Sequence, residues 1–462
     1  MSDQKITIAF AVSRGLVCRN ILRTGVLEEL LKDQRVNVVL FFPQREGGVP
    51  DYLRQEFDHP RIRIEEVAEI SESRWAKRLW KPVADNLVYT ESTDLLAREG
   101  SAKVKPVPAW WYPIHKRLFG FLSKFDALKR AARYLDVRLF PIRDYDELFK
   151  RIKPDVVYAG SIISNYDICI IKAAKRHGAK VVAMQKGWDN LQRQLIRIMP
   201  DALLVQNEEM ALAAKSVQRF TDQTVKLTGF PQFDIYVNQA GLSSRDDFMR
   251  GFGLDPESRL IFFGSEGTWT PQDDLVIDQL LEMRERGDFP FKVSFVLRPH
   301  FSDVQKERYK RFKGRPGVFV DDEYRWSTFF YDNWDPAKED MIKLASELKY
   351  ASAVVCYAST LSLDAACLDK PIINVAFGSF IRPDGTDSTS NLYKMEHYQP
   401  VMASDAVEIV KNAEELKRAI IHSVDAPDHR TEGREKLRET MCGPLDGKSY
   451  IRIAQACSEL VK

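Results

Sequence analysis

The chain has 462 residues, 44% of them apolar, which is enough for two domains that each bury a core. Its 68 basic and 66 acidic residues nearly cancel, and the formal net charge of +2 argues against nucleic acid as a partner. The N-terminus passes directly into a strand pattern without the apolar core of a secretory signal, and no later segment is apolar for long enough to cross a bilayer. The 6 cysteines lack metal-ligand spacing, so we expect reduced thiols in a cytoplasmic protein.

Short apolar runs alternate with helical patterns along most of the chain, and one helical pattern covers 20–32. This alternation predicts an α/β fold with parallel sheets and crossover helices, built as two Rossmann-type, doubly wound domains. The predicted strands are 5–12, 36–42, 154–158, 181–185 and 202–205 in a first series, and 260–263, 293–297, 353–357 and 372–375 in a second.

A turn-rich stretch separates the two series of strands. Gly229 and Pro231 stand at its beginning, and a polar segment follows through 243–244. We therefore predict an N-terminal domain over 1–235 and a C-terminal domain over 236–445 that face each other across a cleft. The last helical pattern, 446–462, is predicted to cross back onto the N-terminal domain.

The loops that follow strands hold the candidate site residues, because ligands of doubly wound sheets bind beyond the carboxyl ends of the strands. In the first domain these loops follow the first strand and the strands near 158 and 185. In the second they follow the strands near 263, 297 and 357. The candidates are charged or polar residues, together with two glycines whose lack of a side chain lets a ligand approach the backbone. They are Arg14, Arg19 and Asn20 in the first domain and Gly264, Ser265, Gly267, Arg298 and His300 in the second.

The segment 354–375 is the most informative part of the chain, because it combines a buried strand, a hydroxyl-rich turn, a short helix and a second strand. Ser359 and Thr360 stand where the helix begins. Free backbone N–H groups, two hydroxyls and the positive end of the helix dipole suit a phosphate. A Ser-Thr turn is also an ordinary N-cap, so the phosphate interpretation depends on Arg298 and His300 as well. A histidine beside a diphosphate can donate a proton to the leaving group.

Several of these segments together resemble the C-terminal domain of GT-B glycosyltransferases. They are Arg-Pro-His at 298–300, Ser-Thr at 359–360 with Asp364, and Lys-Pro-Ile-Ile at 370–373. The nearest likeness is to CDP-glycerol glycerophosphotransferases, bacterial polysialyltransferases and related surface-polysaccharide transferases. Thr-Gly-Phe-Pro at 228–231 and Asp-Gly-Lys at 446–448 are similar to segments of the same group.

The resemblance implies a metal-independent transferase of bacterial surface-polysaccharide synthesis. It would move a sugar, or a glycerol-phosphate-type unit, from a nucleotide-activated donor to a glycan or lipid-linked acceptor, with no further cofactor. Donor binding is then expected in the C-terminal domain, at Gly264, Ser265, Gly267, Arg298, His300, Ser359, Thr360 and Asp364, and acceptor binding at Arg14, Arg19 and Asn20.

Two alternatives stay open at this point. One is an epimerase or hydrolase like the UDP-N-acetylglucosamine 2-epimerases, although Gln-Lys-Gly-Trp at 185–188 departs from their His-x-Glu element. The other is a non-catalytic scaffold that has kept the fold.

An inverting transferase of this kind needs a base near the acceptor hydroxyl. Asp189, at a predicted strand end, is the first candidate, although an aspartate there can equally cap a helix. Asp167 is the second candidate, and His300 is expected to act on the leaving group. The adjacent acids at 273–274 and 321–322 lack the Asp-x-Asp spacing of a metal site, so no metal is predicted.

The segment 71–145 interrupts the alternation as a basic and aromatic helical insertion. Its apolar residues recur at helical spacing around 118–135, with cations between them. One interpretation is a helix that lies on the anionic inner face of a membrane, where a lipid-linked acceptor would be found. The other is a helix whose apolar face packs on the N-terminal domain while its charges face water. The cations are Lys116, Arg117, Lys124, Lys129, Arg130 and Arg133.

Overall fold

A computed structural model describes residues 5–101, 104–188, 190–239, 241–303 and 305–461. Its described strands form two sheets in which every pairing is parallel. The first contains β1 (Ile6–Ala11), β2 (Val36–Pro43), β3 (Ile62–Val67), β4 (Val156–Ala159), β5 (Lys180–Met184), β6 (Ala202–Val205) and β7 (Val225–Leu227). The second contains β8 (Arg259–Gly264), β9 (Val293–Arg298), β10 (Val318–Val320), β11 (Ala353–Cys356), β12 (Ile372–Val375) and β13 (Val407–Val410).

The α-helices of the described residues connect these strands or form the insertion. They are α1 (Gly15–Val17), α2 (Val26–Leu30), α3 (Asp51–Glu56), α4 (Lys81–Asp85), α5 (Glu91–Glu99), α6 (Tyr112–Leu122), α7 (Asp126–Leu139), α8 (Asp146–Ile152), α9 (Asn165–Arg176), α10 (Glu208–Ser216), α11 (Asp234–Asn238), α12 (Arg245–Gly251), α13 (Asp273–Glu285), α14 (Lys338–Tyr350), α15 (Leu361–Cys367), α16 (Gln399–Ala403), α17 (Ala413–Asp425), α18 (Thr431–Met441) and α19 (Ser449–Glu459).

The strand order confirms the predicted fold class of two doubly wound parallel sheets. The first sheet runs β3-β2-β1-β4-β5-β6-β7 and the second runs β10-β9-β8-β11-β12-β13. In each sheet the chain starts in the middle, winds to one edge and then returns to wind to the other. The order therefore reverses between β1 and β4 and between β8 and β11, and these are the two places where a ligand crevice is expected.

The central strands are buried on both faces, which is why they read as unbroken apolar runs in the sequence. Phe10 of β1 and Phe262 of β8 are both 0% exposed. Helices cover the two faces of each sheet, and their apolar sides complete the cores. The loops at the carboxyl ends of several strands line the cleft described below.

The C-terminal helix α19 packs on the first sheet. Ile453 and Cys457 are buried in the same core cluster as Phe10. Tyr450 lies under Gly25, where a Cβ would be 3.1 Å from the tyrosine ring and where φ is +97°. The predicted helical pattern over 20–32 is interrupted at this glycine, and α2 begins after it at Val26.

The basic insertion contains two helices where the sequence predicted one around 118–135. The helices α6 and α7 are separated at 123–125, because Phe125 has an extended backbone. The buried side of α7 is charged, since Asp136 is 0% exposed and accepts from Trp80 Nε1 at 2.8 Å and from Arg197 Nη1 at 2.8 Å. Among the described residues, no helix is both long and apolar enough to cross a membrane.

Candidate active site

A cleft of about 730 Å³ lies between the carboxyl ends of the two sheets. Its walls come from both halves of the chain. The loop after β1 contributes Arg14, and the loops after β8 and β11 contribute Ser265 and Ser359. Both topological switch points therefore open into one cavity, as expected for a ligand held between doubly wound domains.

His300 follows β9 and faces this cleft. The backbone N–H of Ser302 donates to His300 Nδ1 at 3.2 Å, and the Ser302 hydroxyl lies 2.8 Å from the same nitrogen. Because Nδ1 accepts the backbone N–H bond, the neutral ring carries its proton on Nε2. Gly267 closes over the ring, since a Cβ there would lie 2.9 Å from His300 Cβ. The site thus orients an imidazole whose Nε2 is a donor.

The turn after β11 places Ser359 against the cleft at 8% exposure. Within the part of the chain that the structure describes, Ser359 Oγ has no hydrogen-bond partner, although it is buried. A buried hydroxyl without a partner is costly unless something else, such as water or a ligand, completes it. Gly264 leaves room for this turn, because a Cβ there would lie 2.1 Å from Leu361 Cδ1. Thr360 also lines the cleft, at the N-cap of α15.

Arg298 lines the cleft, but its charge is matched inside the second domain. Its Nη1 donates to Glu347 Oε2 at 2.9 Å and also pairs closely with Asp321, and both carboxylates are almost fully buried. Lys343 pairs with Asp321 as well. The two acids raise the pKa of Arg298 against the opposing effect of burial, so the guanidinium stays charged. The two carboxylates therefore weaken the electrostatic attraction between Arg298 and an added phosphate.

The first domain brings two further cations to the cleft, Arg14 and Arg19. Arg19 Nε donates to Asn20 Oδ1 at 2.7 Å, and its guanidinium carbon lies 4.8 Å from the centroid of the Trp334 ring. Burial lowers the pKa of Arg19, whereas the nearby Asp364 carboxylate raises it. The sequence predicted that Arg19 binds the acceptor. In the structure it lies next to Trp334 and Asp364, which belong to the second half of the chain.

Asp364, in the first turn of α15, is buried beside the cleft at 7% exposure. It accepts a hydrogen bond from the Tyr236 hydroxyl at 2.6 Å. Burial raises the pKa of Asp364 to about 6, against the lowering effects of this hydrogen bond and of Arg19. The carboxyl can therefore hold or accept a proton close to neutral pH.

A segment between β10 and α14, residues 321–337, ties the second domain to the first, and we call it the strap. Asp332 accepts backbone N–H bonds from Gly15 at 2.9 Å and from Leu16 at 3.1 Å, where the loop after β1 enters α1. Gly15 is required here, because a Cβ would lie 1.5 Å from the carbonyl oxygen of Trp334. A carboxylate of the protein itself thus occupies the backbone donors that follow the first strand.

Aromatic and charged side chains anchor the strap on both sides. Phe330 is 0% exposed and packs on Phe42 of the first sheet, with ring centroids 6.0 Å apart. Trp334 stacks on Phe301 of the second domain, with centroids 4.0 Å apart and planes 11° from parallel. Asp335, at 0% side-chain exposure, pairs with Arg23 at 2.5 Å. The strap therefore contacts both domains and forms one wall of the cleft.

The two candidate bases have different outcomes. Asp189 lies outside the described residues, so its role stays a prediction. Asp167 does not line the cleft and is fully buried, where it accepts from the Ser161 N–H at 2.7 Å and from the Ser164 hydroxyl at 2.9 Å. Burial raises the pKa of Asp167 to about 7. Its hydrogen bonds hold the start of α9, a structural role that argues against direct contact with an acceptor.

Most of the predicted residues meet at the cleft, and the strap was not predicted. Gly264 and Gly267 support the neighbouring loops and do not line the cavity. The strap contributes side chains that the strand-end rule could not find, because no predicted strand precedes them. The cluster of aromatic residues in this segment is the signal that could have indicated it. The strap residues at the cleft include Tyr324, Trp326, Tyr331, Asp332 and Trp334.

Comparisons with known proteins agree with this architecture. No protein-family model and no curated protein sequence matches the chain. A putative UDP-N-acetylglucosamine 2-epimerase from Listeria monocytogenes is 13% identical, with 98% of this chain and 96% of that one covered and a TM-score of 0.55. A UDP-GlcNAc 2-epimerase from Neisseria meningitidis bound to UDP-GlcNAc is 11% identical, with 99% and 100% covered and a TM-score of 0.54.

The wall teichoic acid polymerase TagF is also similar, at 13% identity, with 99% of this chain and 90% of that one covered and a TM-score of 0.51. Identities this low show the shared fold alone, which is the GT-B arrangement of two Rossmann-type domains. The predicted GT-B fold is thus confirmed. The nearer likeness to glycerophosphotransferases stays a prediction.

Proposed function

We propose that the protein is a GT-B transferase of surface-polysaccharide synthesis, which moves a sugar or a glycerol-phosphate-type unit from a nucleotide-activated donor to a glycan or lipid-linked acceptor. The observation that carries this proposal is the meeting of His300, Ser359, Arg14 and Arg19 around one cleft at both topological switch points. The named ligand of the Neisseria epimerase, UDP-GlcNAc, supports a nucleotide-linked donor in a cleft of this kind.

The chemistry follows from the charges that the reaction must move. The acceptor oxygen forms a bond to the transferred unit, the bond from that unit to the donor phosphate breaks, and the hydroxyl proton passes to a base. Negative charge then grows on the leaving phosphate, where donors placed in advance stabilise it most. In the proposal, His300 Nε2 and the Ser359 hydroxyl donate to that phosphate, with Thr360 beside them.

The roles proposed for Arg298 and Arg19 differ from those predicted from the sequence. Arg298, at the end of β9, pairs with two carboxylates and so orders the loop that carries His300. Arg19 instead faces the donor from the opposite wall, where its positive charge attracts the donor phosphates. Arg14 stays with the acceptor side. Because Arg19 can offset the charge of the leaving group and the His300 imidazole and the Ser359 hydroxyl can donate hydrogen bonds to it, we keep the prediction of a metal-independent reaction. Asp189 remains the first candidate for the base.

The test compares donor consumption with and without acceptor. Thermal-shift screening against UDP, CDP, CMP, GDP and TDP compounds first selects the nucleotide, and product chromatography then follows the corresponding donor. We expect consumption that needs an acceptor and that falls at least about a hundredfold in His300→Ala. His59→Gln, at a histidine that does not line the cleft, is the matched control. Conversion of the donor to an epimer without acceptor would instead identify an epimerase.

The insertion supports attachment of the enzyme to an anionic membrane surface. The charged residues Lys129 and Arg133 of α7 are 4% and 6% exposed, so they point into the protein and cannot meet lipid as the sequence suggested. Lys129 Nζ donates to the Val217 carbonyl at 2.8 Å, and Arg133 Nε donates to that of Ile196 at 2.9 Å. The exposed side of the two helices is instead apolar, with Phe121 at 59% exposure.

This arrangement differs in part from the alternative in which the apolar side packs on the domain and the charges face water, because Lys129 and Arg133 are buried and several apolar side chains are exposed. An exposed apolar face flanked by cations suits the boundary of an anionic bilayer, where each Lys or Arg contributes about 1 kcal/mol. Further apolar side chains of this face are Trp110, Ile114, Leu118, Phe125, Leu128, Tyr134 and Leu139. The exposed cations beside them are Lys116, Arg117, Lys124, Arg130 and Arg138.

Co-sedimentation with vesicles that contain anionic phospholipid tests the attachment. Replacing three of these cations with Gln should weaken binding by about a hundredfold and leave turnover on a soluble acceptor fragment intact. A wild-type protein that stays in the supernatant at low salt would refute the membrane proposal without affecting the transferase proposal. The test variant changes Arg117, Lys124 and Arg130, and a control of equal charge changes Lys226, Lys338 and Lys411, which are exposed elsewhere.

A further inference from the structure

Three side chains with metal-binding groups meet at the edge of the second sheet. Glu408 belongs to the edge strand β13, His422 lies in the last turn of α17, and His429 lies in the turn before α18. One ligand atom from each lies within 4.8 Å of the other two. None of the three lines the cleft.

The two imidazole rings are already side by side, with centroids 4.4 Å apart and planes at 50°. Nitrogen ligands of a tetrahedral Zn²⁺ stand about 2.0–2.1 Å from the ion, which places them roughly 3.4 Å from each other. Small rotations of exposed side chains can close the remaining gap. A carboxylate beside two imidazoles completes three of the four positions of such an ion.

The backbone that carries His429 is held by a buried charge. Arg434 is 1% exposed, and it donates to the His429 carbonyl at 2.6 Å and to the Pro427 carbonyl at 3.0 Å. The His429 N–H in turn donates to the Ala426 carbonyl at 3.0 Å. Supports of this kind keep ligand residues in place before an ion arrives.

The local charges also suit a cation. Glu408 provides the negative charge, and the neighbouring Arg430 is paired closely with Asp405, so its positive charge is matched. Two nitrogens and one carboxylate oxygen favour a transition metal ion over Mg²⁺ or Ca²⁺, which prefer oxygen alone.

We propose that Glu408, His422 and His429 bind a divalent transition metal ion of the Zn²⁺ class, with water in the remaining position. The ion would join the edge strand β13 to the helix α17 and to the turn before α18. This role is structural, lies outside the cleft and does not depend on the proposed transfer reaction.

Calorimetric titration of the full chain with ZnCl₂ tests the site, with Co²⁺ absorption as a probe of tetrahedral geometry. We expect one equivalent to bind, a rise in the melting temperature with Zn²⁺, and a loss of affinity of tenfold or more in His422→Ala and in His429→Ala. Glu408→Gln, which keeps the size of the side chain, should weaken binding as well. The control His59→Gln should bind like the wild type.

Two results would overturn the proposal. One is a wild type that does not bind Zn²⁺, or that binds it no better than the His422→Ala, His429→Ala double variant does. The other is binding that appears only together with dimer formation in sedimentation velocity, because the ion would then join two chains. Circular dichroism of the variants without metal confirms that lost binding is not lost folding.

Discussion

The strap offers the sharpest test of how the two domains are held together. In Asp335→Ala, the buried Arg23 loses its Asp335 partner at 2.5 Å and keeps Glu56 and the Pro336 carbonyl. The Tyr52 hydroxyl also loses its acceptor at 2.5 Å. The Arg23 and Asp335 side chains are only 2% and 0% exposed, so water cannot replace the lost partner. Breaking one side of a buried pair costs about 3–5 kcal/mol when the remaining charge has no other partner, so with Glu56 retained we expect a loss near about 3 kcal/mol.

Urea unfolding followed by tryptophan fluorescence measures this cost, since Trp334 lies next to the substitution and stacks on Phe301. The double variant Arg23→Met, Asp335→Leu removes both charges and should recover part of the stability, because apolar replacement of a buried pair is often close to neutral, whereas Tyr52 still lacks its acceptor. Glu307→Ala breaks the exposed Lys310–Glu307 pair as a control and should cost at most about 1 kcal/mol.

A loss below about 1 kcal/mol in Asp335→Ala would refute the assignment of the strap as a structural tie. A double variant as unstable as the sum of its single changes would also refute it, because the two charges would then act independently. We further expect Asp335→Ala to reduce turnover, since the same segment places Trp334 and Asp332 at the cleft.

The donor site, the buried carboxyls and the metal requirement allow three more tests. Ser359→Ala with Thr360→Val should weaken the free energy of donor binding by about 1–3 kcal/mol in calorimetry. An unchanged dissociation constant would show that neither hydroxyl binds the donor. Burial raises the pKa of Asp167 to about 7 in the folded protein, from its ordinary value of 3.8, so stability should fall as pH rises from about 4 to about 7, and Asp167→Asn should flatten that fall in urea unfolding. EDTA should leave turnover unchanged, whereas a loss restored by Mg²⁺ or Mn²⁺ would refute the metal-independent scheme.

The central strands could be predicted from the sequence, and the edge strands could not. The predicted strands 202–205 and 372–375 coincide with β6 and β12, and the other predicted strands differ from the observed ones by one or two residues at their ends. The strands that were not predicted, β3, β7, β10 and β13, are the edges of the two sheets. An edge strand is short or partly exposed, so its sequence lacks the continuous apolar run that burial on both faces imposes.

The helical insertion at 71–145 shows a second limit of sequence reasoning. The 3.6-residue period correctly indicated helices, but it could not show which face is buried. The usual assumption that charges face water does not hold for Asp136 and Arg133 of α7, which find partners inside the protein. The burial of these charges depends on Arg197 and on the loop at 218, which are distant from α7 in sequence and pair with Asp136 and Arg133.

The sequence alone determined the fold class and most of the cleft, because strand ends in doubly wound sheets always meet at the same edge. Arg14, His300 and Ser359 could be named for this reason before any contact was known. The tertiary structure decided what each residue can do there. Arg298 is held in ion pairs with Asp321 and Glu347, and Asp332 accepts from the backbone N–H groups after β1. Such pairings join residues far apart in the chain, and no local pattern specifies them.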